Sequence, residues 1–420
     1  MNKVYEIKGK SVLNGTINVQ GSKNSALAII VGSLLCKDVV ILKNVPKIQD
    51  VFELLEILKK INVKAIFIEN SLMIDSTNIE YSPLLFEEII KFRASYYFIG
   101  AFLSLFKKVQ IYLPGGCNIG KRPIDQHIKA LNELNINVTI DNDIINAFTK
   151  EVIGSEIVFD VVSVGATVNA ILASVFASKP TILKNVACEP EITDLINFLN
   201  KMGAKIIGKG SSVLYIEGVN CLKAISYEIM PDRIVTGTFL IYGSLLANKL
   251  TLKNINTKDN YALINILINL GLQMDIKSNE ITIYGIKSFE KANIKTEVFP
   301  GFPSDLQQIM TTFLFMGKQI SLVEETLFEN RFDFLNEIKT MGGKYFIYDN
   351  KVLIIPSSFN NAVVSCKDLR GGAALLLACM SCQGVSIIKN VEYIERGYED
   401  IVNVLKSINV DIKEITMYEA

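Results

Sequence analysis

The chain has 420 residues, half of them apolar, with 43 basic and 43 acidic side chains and a formal net charge of zero. That length exceeds what one hydrophobic core serves, so two domains are expected. The balanced charge excludes nucleic-acid or membrane-surface binding driven by bulk electrostatics. Seven cysteines and a start, MNKVYEIKGK, without an apolar signal region lead to the expectation of free thiols in a reducing cytoplasm.

In chain order, apolar runs alternate with amphipathic ones. ILKNV occurs at 41–45 and at 182–186, with the near copies TLKNI at 251–255 and IIKNV at 387–391. Each follows a thoroughly apolar stretch such as ALAIIVGSLLC and precedes an amphipathic run such as VFELLEILKKINVKAIF. Six amphipathic runs stack on one another, each predicted to end in a left-handed helix cap, at Asn62, Asn137, Gly203, Gly271, Gly342 and Asn409. That is a period of about 70 residues, longer than solenoid periods, so each copy is a small αβ subdomain. Three copies closing around their apolar helices make one domain, and six make two. The boundary is expected near SYEIMPDR at 226–233. No apolar run reaches the roughly 18 to 20 residues of a membrane span. Cys379 and Cys382, inside AALLLACMSC, read as a buried helix face and not as a redox pair. One histidine and scattered cysteines make a metal site improbable, and no cofactor is implied.

The apolar helices are predicted to start at Lys23–Asn24, Arg93, Gly165, Arg233, Asp305 and Arg370. Free N–H groups and the positive dipole end attract anions to a helix N-terminus, and added basic side chains strengthen that pull. The set therefore suits a highly anionic ligand. The alternative for any single arginine is a local ion pair. The stretch IYLPGGCNIGKRPIDQH at 111–127 departs from the ILKNV pattern. Two glycines, Cys117, Lys121 and Arg122 replace it with a loop, and the only histidine, His127, follows.

GSKNSAL at 21, RAS at 93, PGGCNIGKRPID at 114, VSVGAT at 162, CEPEI at 188, PDRIVTGTF at 231, FPSDLQ at 302, ENRF at 329, DLRGGAAL at 368 and ERGYE at 395 follow one another over essentially the whole chain. In that order and spacing they resemble the enolpyruvyl transferases that act on UDP-N-acetylglucosamine. The resemblance implies a two-domain α/β (α+β) fold, the inside-out αβ barrel, built from six βαβαββ-type units. Residues 21–230 would form one domain, and 1–20 with 231–420 the other, with the active site in a cleft between them.

It also implies the reaction. The enolpyruvyl group of phosphoenolpyruvate passes to the 3′-hydroxyl of UDP-N-acetylglucosamine and phosphate is released, a cytoplasmic step that opens peptidoglycan synthesis. Cys117 is expected to be the acid and the point of fosfomycin attack, and its glycine-rich loop a lid. Asp305 is the candidate base, although an N-cap role is open to it. Lys23, Arg122, Arg370 and Arg396 match phosphoenolpyruvate contacts, and Arg331 a further arginine that helps close the domains. Asn24, Arg93, the run Arg122, Pro123, Ile124, Asp125 and Gln126, then Ser163, Val164, Gly165, Asp305, Leu327 and Phe328 match UDP-sugar contacts; Asn24 is shared with the phosphoenolpyruvate side. Val161 and Gln126 depart from the family, where a basic residue and a leucine are frequent. His127 suits either a contact to the nucleotide or a structural hydrogen bond. No protein partner, nucleic acid or membrane insertion is implied. Three rivals stay open: the shikimate-pathway transferase, which lacks the PGGC thiol, an RNA 3′-phosphate cyclase, and a non-catalytic paralogue that binds the UDP-sugar.

Overall fold

The computed structural model describes residues 2–91, 93–113, 115 and 123–417. The chain divides into two compact lobes, one within Gly21 to Met230, the other joining the residues up to Gln20 with those from Pro231 onward.

Six copies of one unit make up the fold, and the fifth shows it plainly. Strand Asn293–Lys295 leads to the inner helix Ser304–Leu314, strand Ser321–Glu324, the outer helix Leu335–Thr340, and the hairpin Lys344–Tyr348 and Lys351–Ile355. The strands form one sheet in which the first two run parallel and the other pairs antiparallel. Six such sheets occur, five four-stranded and one three-stranded among the described residues. In the three-stranded one, a parallel bridge between Leu84 and Ile111 stands where the fourth strand would lie. The expected inside-out barrel is thus built of separate sheets around inner helices, and no sheet closes on itself among the described residues.

Each lobe borrows strands from distant sequence. Ser226–Glu228 pairs parallel with Val39–Lys43 and supplies the first unit's opening strand. Asn2–Lys8 sits between Val385–Lys389 and Ile412–Met417 in the sixth unit, and Leu13–Asn18 opens the fourth beside Ala247–Lys253.

The inner helices are buried on nearly every side because their sequences are mostly apolar, and in Ser304–Leu314 the polar residues Gln307, Gln308, Thr311 and Thr312 are buried with hydrogen-bond partners. In the second lobe Arg233–Leu246, Ser304–Leu314 and Leu369–Ser381 pack pairwise. In the first, Tyr97–Phe106 packs on both Lys23–Ser33 and Val164–Ser174. Small residues set how closely they pack: a side chain at Gly100 would meet the Asn169 carbonyl at 2.5 Å. Asn169 Oδ1 accepts from the Gly100 N–H at 2.8 Å, so the contact also satisfies a buried polar group. Cys379 and Cys382 are free and buried, as a helix face requires.

The outer helices end in left-handed residues at Asn62, Gly203, Gly271, Gly342 and Asn409, as the pattern predicts. In the second copy Asn135 takes that role instead of Asn137, which begins the next strand. The reason lies in phase: LNINV aligns with INVKA so that Asn135, one residue past the C-cap Leu134, matches Asn62. The ILKN asparagines have a separate purpose. Asn44, Asn185, Asn254 and Asn390 all adopt a left-handed φ of 55–57°. Their amides donate to Ile229, Phe159, Val19 and Cys366 carbonyls, each the residue just past the neighbouring parallel strand. The asparagine thus stops the strand and clips its neighbour's end.

Candidate active site

In the first lobe, Ser22 caps the helix Lys23–Ser33 by accepting from Ser25 N–H at 3.3 Å. Lys23 Nζ lies 2.5 Å from Asp50 Oδ2, and both side chains are largely buried. Asn24 beside it is half-buried. Ser25 donates to Asp194, which also accepts from the Tyr227 hydroxyl at 2.6 Å and from Met230 N–H at 3.2 Å. Burial pushes the Asp194 carboxyl up although these donors oppose it.

Arg93 begins the turn Arg93–Tyr96 ahead of the second inner helix, its guanidinium 5.1 Å from the Tyr96 ring. Tyr96 in turn lies 5.4 Å from the His127 ring. Ser163 caps Val164–Ser174 through a bond from Ala166 N–H at 3.3 Å. Gly165 leaves room for His127, whose Nε2 would lie 2.8 Å from a side chain there. Arg93, His127, Ser163, Val164 and Gly165 therefore gather at one end of the second and third inner helices. His127 is buried and, among the described residues, neither ring nitrogen meets a hydrogen-bond partner, so of its two expected roles the structural hydrogen bond is not found there. Burial, reinforced by Arg93, lowers its pKa to about 4, with Asp125 opposing, and the ring is neutral.

Pro123 and Ile124 lead into the helix Asp125–Glu133. Gln126 donates to Asp125 Oδ2 at 2.8 Å and Asp160 Oδ2 at 3.2 Å, and accepts from Asp160 N–H at 2.9 Å. The Gln126 side chain thus ties this helix to the segment before Ser163. Val161 is exposed, and Lys129 pairs with Asp160 at 2.6 Å. Cys117, Lys121 and Arg122 lie outside the described residues. Gly115 N–H donates to Ile90 O at 2.8 Å, an approach that a side chain at Gly115 would block.

In the second lobe, Asp305 is the second residue of the inner helix Ser304–Leu314. Its Oδ1 accepts from Arg331 at 2.6 Å and its Oδ2 from Arg370 at 3.1 Å. Both arginines are almost fully buried. Burial alone would raise the Asp305 carboxyl, but the two guanidinium charges outweigh it and hold the group well below the usual carboxylate range. The open N-cap role is not filled by Asp305: Pro303 holds the cap position. Arg370 follows the cap of its own helix, where Asp368 Oδ1 accepts from Arg370 N–H at 3.0 Å and Gly371 N–H at 2.9 Å. Its guanidinium also donates to Tyr398 OH at 3.3 Å, and Tyr398 meets Thr238 at 2.8 Å. Gln308 links Arg331 O and Asp368 Oδ2. Arg396 is half-buried two residues before Tyr398, in a segment clamped by Gln20, which donates to Gly397 O and accepts from Glu399 N–H.

Leu327 and Phe328 follow strand Ser321–Glu324, with the Arg331 guanidinium 5.0 Å from the Phe328 ring. Leu327 and Thr326 wall a depression of about 620 Å³ together with Glu297 and Phe299. A larger one, about 720 Å³, lies between the outer helix Gln49–Lys60 and strand Lys64–Ile68 and contains none of these residues.

Sequence reasoning missed Asp50, Glu325, Asp368 and Tyr398, which contact predicted residues, and Asp194, which ties Ser25 to Tyr227 and Met230. Only Glu325 left a trace, because it breaks the ILKN pattern. Among the described residues no cluster of metal-ligating side chains occurs, and no helix is long and apolar enough to cross a membrane.

Residues 7–405 match the family model for EPSP synthase (3-phosphoshikimate 1-carboxyvinyltransferase). Of solved structures, the enolpyruvyl transferase NikO from Streptomyces tendae superposes with a TM-score of 0.90 at 20% identity, over 99% of this chain and 100% of that one. EPSP synthase from Acinetobacter baumannii gives 0.74 at 13%, with the same coverage. The fold is that of the enolpyruvyl transferases. Two curated relatives narrow the class. UDP-N-acetylglucosamine 1-carboxyvinyltransferase 2 of Staphylococcus aureus (strain Mu50 / ATCC 700699) is 40% identical over 411 residues, and UDP-N-acetylglucosamine 1-carboxyvinyltransferase 1 of Staphylococcus haemolyticus (strain JCSC1435) is 42% identical over 415, each covering 98% of both chains. The chain belongs to the UDP-N-acetylglucosamine 1-carboxyvinyltransferase family.

Proposed function

We propose that the protein transfers the enolpyruvyl group of phosphoenolpyruvate to the 3′-hydroxyl of UDP-N-acetylglucosamine. The observation that carries this reading is the near-complete match to two relatives of that name. The arrangement of Asp305 between two buried arginines, Arg370 at an inner-helix start and Arg331 ahead of an outer helix, agrees with it.

In this reading Cys117 delivers a proton to C3 of the enol, and C2 becomes electrophilic. The sugar oxygen attacks C2 while its proton passes to Asp305, giving a tetrahedral adduct. Loss of a proton from C3 and cleavage of the C2–O bond to phosphate restore the double bond. Lys23, Arg122, Arg370 and Arg396 bind the phosphate and carboxylate, for which guanidinium forks and an ammonium are matched in charge. Asn24, Arg93, Ser163, Val164 and Gly165 receive the UDP-sugar, with the helix end facing its diphosphate.

Arg331 and Arg370 explain how Asp305 becomes a base. Held by both, its carboxylate is too weakly basic to take a hydroxyl proton. An incoming phosphoenolpyruvate offers the arginines competing negative charge, and the basicity of Asp305 rises when its substrate is present. The chemistry belongs to the cytoplasm, at the first committed step of peptidoglycan synthesis, and fosfomycin would alkylate Cys117. Phosphate release from phosphoenolpyruvate that depends on UDP-N-acetylglucosamine tests the reading; no release with folded protein would refute it.

A further inference from the structure

Glu325 occupies the slot that four other units fill with a left-handed asparagine. It follows Glu324, which pairs with Lys295 in the parallel register, just as Asn185 follows Lys184 paired with Val158. The clipped neighbour is again the residue past the parallel strand, here Thr296. The fifth unit has replaced an amide by a carboxylate, and that carboxylate does more than clip a strand.

The side chain is 2% exposed. Oε1 accepts from Thr296 Oγ1 at 2.9 Å, Leu327 N–H at 2.9 Å and Phe328 N–H at 3.3 Å. Oε2 accepts from Ser304 Oγ at 2.8 Å. Four donors converge on an acceptor-only group, which an asparagine at this position has neither the oxygens nor the length to match. Four hydrogen bonds compensate the burial of these two oxygens, and the N-terminus of Ser304–Leu314 lies beside them.

The two sides of the carboxylate reach different parts of the site. Ser304 precedes Asp305, while Leu327, which walls the smaller depression, and Phe328 are the two residues of this segment expected on the sugar side. Resting on that assignment, we infer that Glu325 is a positioning residue for the transfer step: it holds the main chain of Leu327 and Phe328, and so the seat of the acceptor sugar, at a fixed distance from Asp305. It touches neither substrate.

Full-length E325A, E325Q and S304A, compared with the parental protein, test this through kcat, both KM values, titration of UDP-N-acetylglucosamine and a thermal melt. E325A is expected to lower kcat and weaken UDP-sugar binding by about tenfold or more, with the KM for phosphoenolpyruvate changed less than about threefold. E325Q keeps one oxygen for the two N–H groups while the Ser304 hydroxyl turns to accept from its amide, and should recover to within about threefold of the parent. S304A should lower kcat with little change in UDP-sugar affinity. Should E325A fail to fold, E325D, one methylene too short to hold Ser304 and Leu327 together, takes its place. A folded E325A or E325D with parental kcat and parental UDP-sugar affinity would overturn the inference and leave Glu325 a structural tie. A parental protein without turnover would refute the proposed reaction, and the UDP-sugar titration would still decide the role of Glu325.

Discussion

Arg331 and Asp305 meet at 2.6 Å, with Arg370 on the carboxylate's other oxygen, so the proposed base rests as a fully ionised partner of two buried cations. The arrangement predicts that Asp305→Asn still binds UDP-N-acetylglucosamine but loses roughly 100- to 10,000-fold in kcat, since the amide keeps the shape and cannot take the proton. Steady-state kinetics beside ligand titration measure both effects. Parental kcat in that variant would reduce Asp305 to an arginine anchor.

Cys117 is predicted to be needed for turnover and not for acceptor binding. Cys117→Ala should bind the UDP-sugar as the parent does, release no phosphate, and no longer be labelled by fosfomycin, as intact-mass spectrometry would read. Labelling that persists in the variant would place the reactive thiol elsewhere.

Lys23 and Asp50 form a buried pair, which gives Lys23 a structural part beside the substrate-binding one proposed for it. Lys23→Ala should cost about 3 kcal/mol in unfolding free energy, because it strips Asp50 of its lysine. The same substitution should raise the KM for phosphoenolpyruvate. Denaturant unfolding checks the first and kinetics the second.

His127 makes a pH prediction. Its folded pKa of about 4 lies below the unfolded value of about 6.5, so the unfolded chain binds the proton more readily. Its contribution to stability is present above pH 6.5 and is lost as pH falls from about 6.5 towards 4. A His127→Gln variant should lose less stability than the parent between pH 7 and pH 5, as paired thermal melts would show.

The strand-ending asparagines predict a backbone effect. Asn185→Gly keeps the left-handed turn and loses only the bond to Phe159 O, about 1 kcal/mol; Asn185→Ala adds the strain of a left-handed alanine and should cost about 1 kcal/mol more. Chemical denaturation of the two variants separates the terms.

Much of this was legible in local sequence, because local forces set it. Six amphipathic runs, each with a cap, revealed six units, since helix periodicity and left-handed caps are written within a few residues. The one slip, Asn137 for Asn135, came from two asparagines two residues apart in one stretch. Asp305 stood out as the lone acid among basic helix starts. Its grip by Arg331 and Arg370 did not, because residues 26 and 65 positions away meet it only through helix packing. No local pattern tells that Asn2–Lys8 pairs with Ile412–Met417 either: alternation predicts a strand but never its partner. Glu325 lay between, visible as a break in the asparagine pattern yet without meaning until its four donors were in place.

The central claim is tested most directly by phosphate release from phosphoenolpyruvate, run in parallel with UDP-N-acetylglucosamine and with shikimate 3-phosphate as acceptor. Release with the UDP-sugar alone is predicted. Release with shikimate 3-phosphate alone would contradict the assigned acceptor while keeping the donor chemistry. Release with neither, from folded protein that still binds the UDP-sugar, would contradict the catalytic reading altogether.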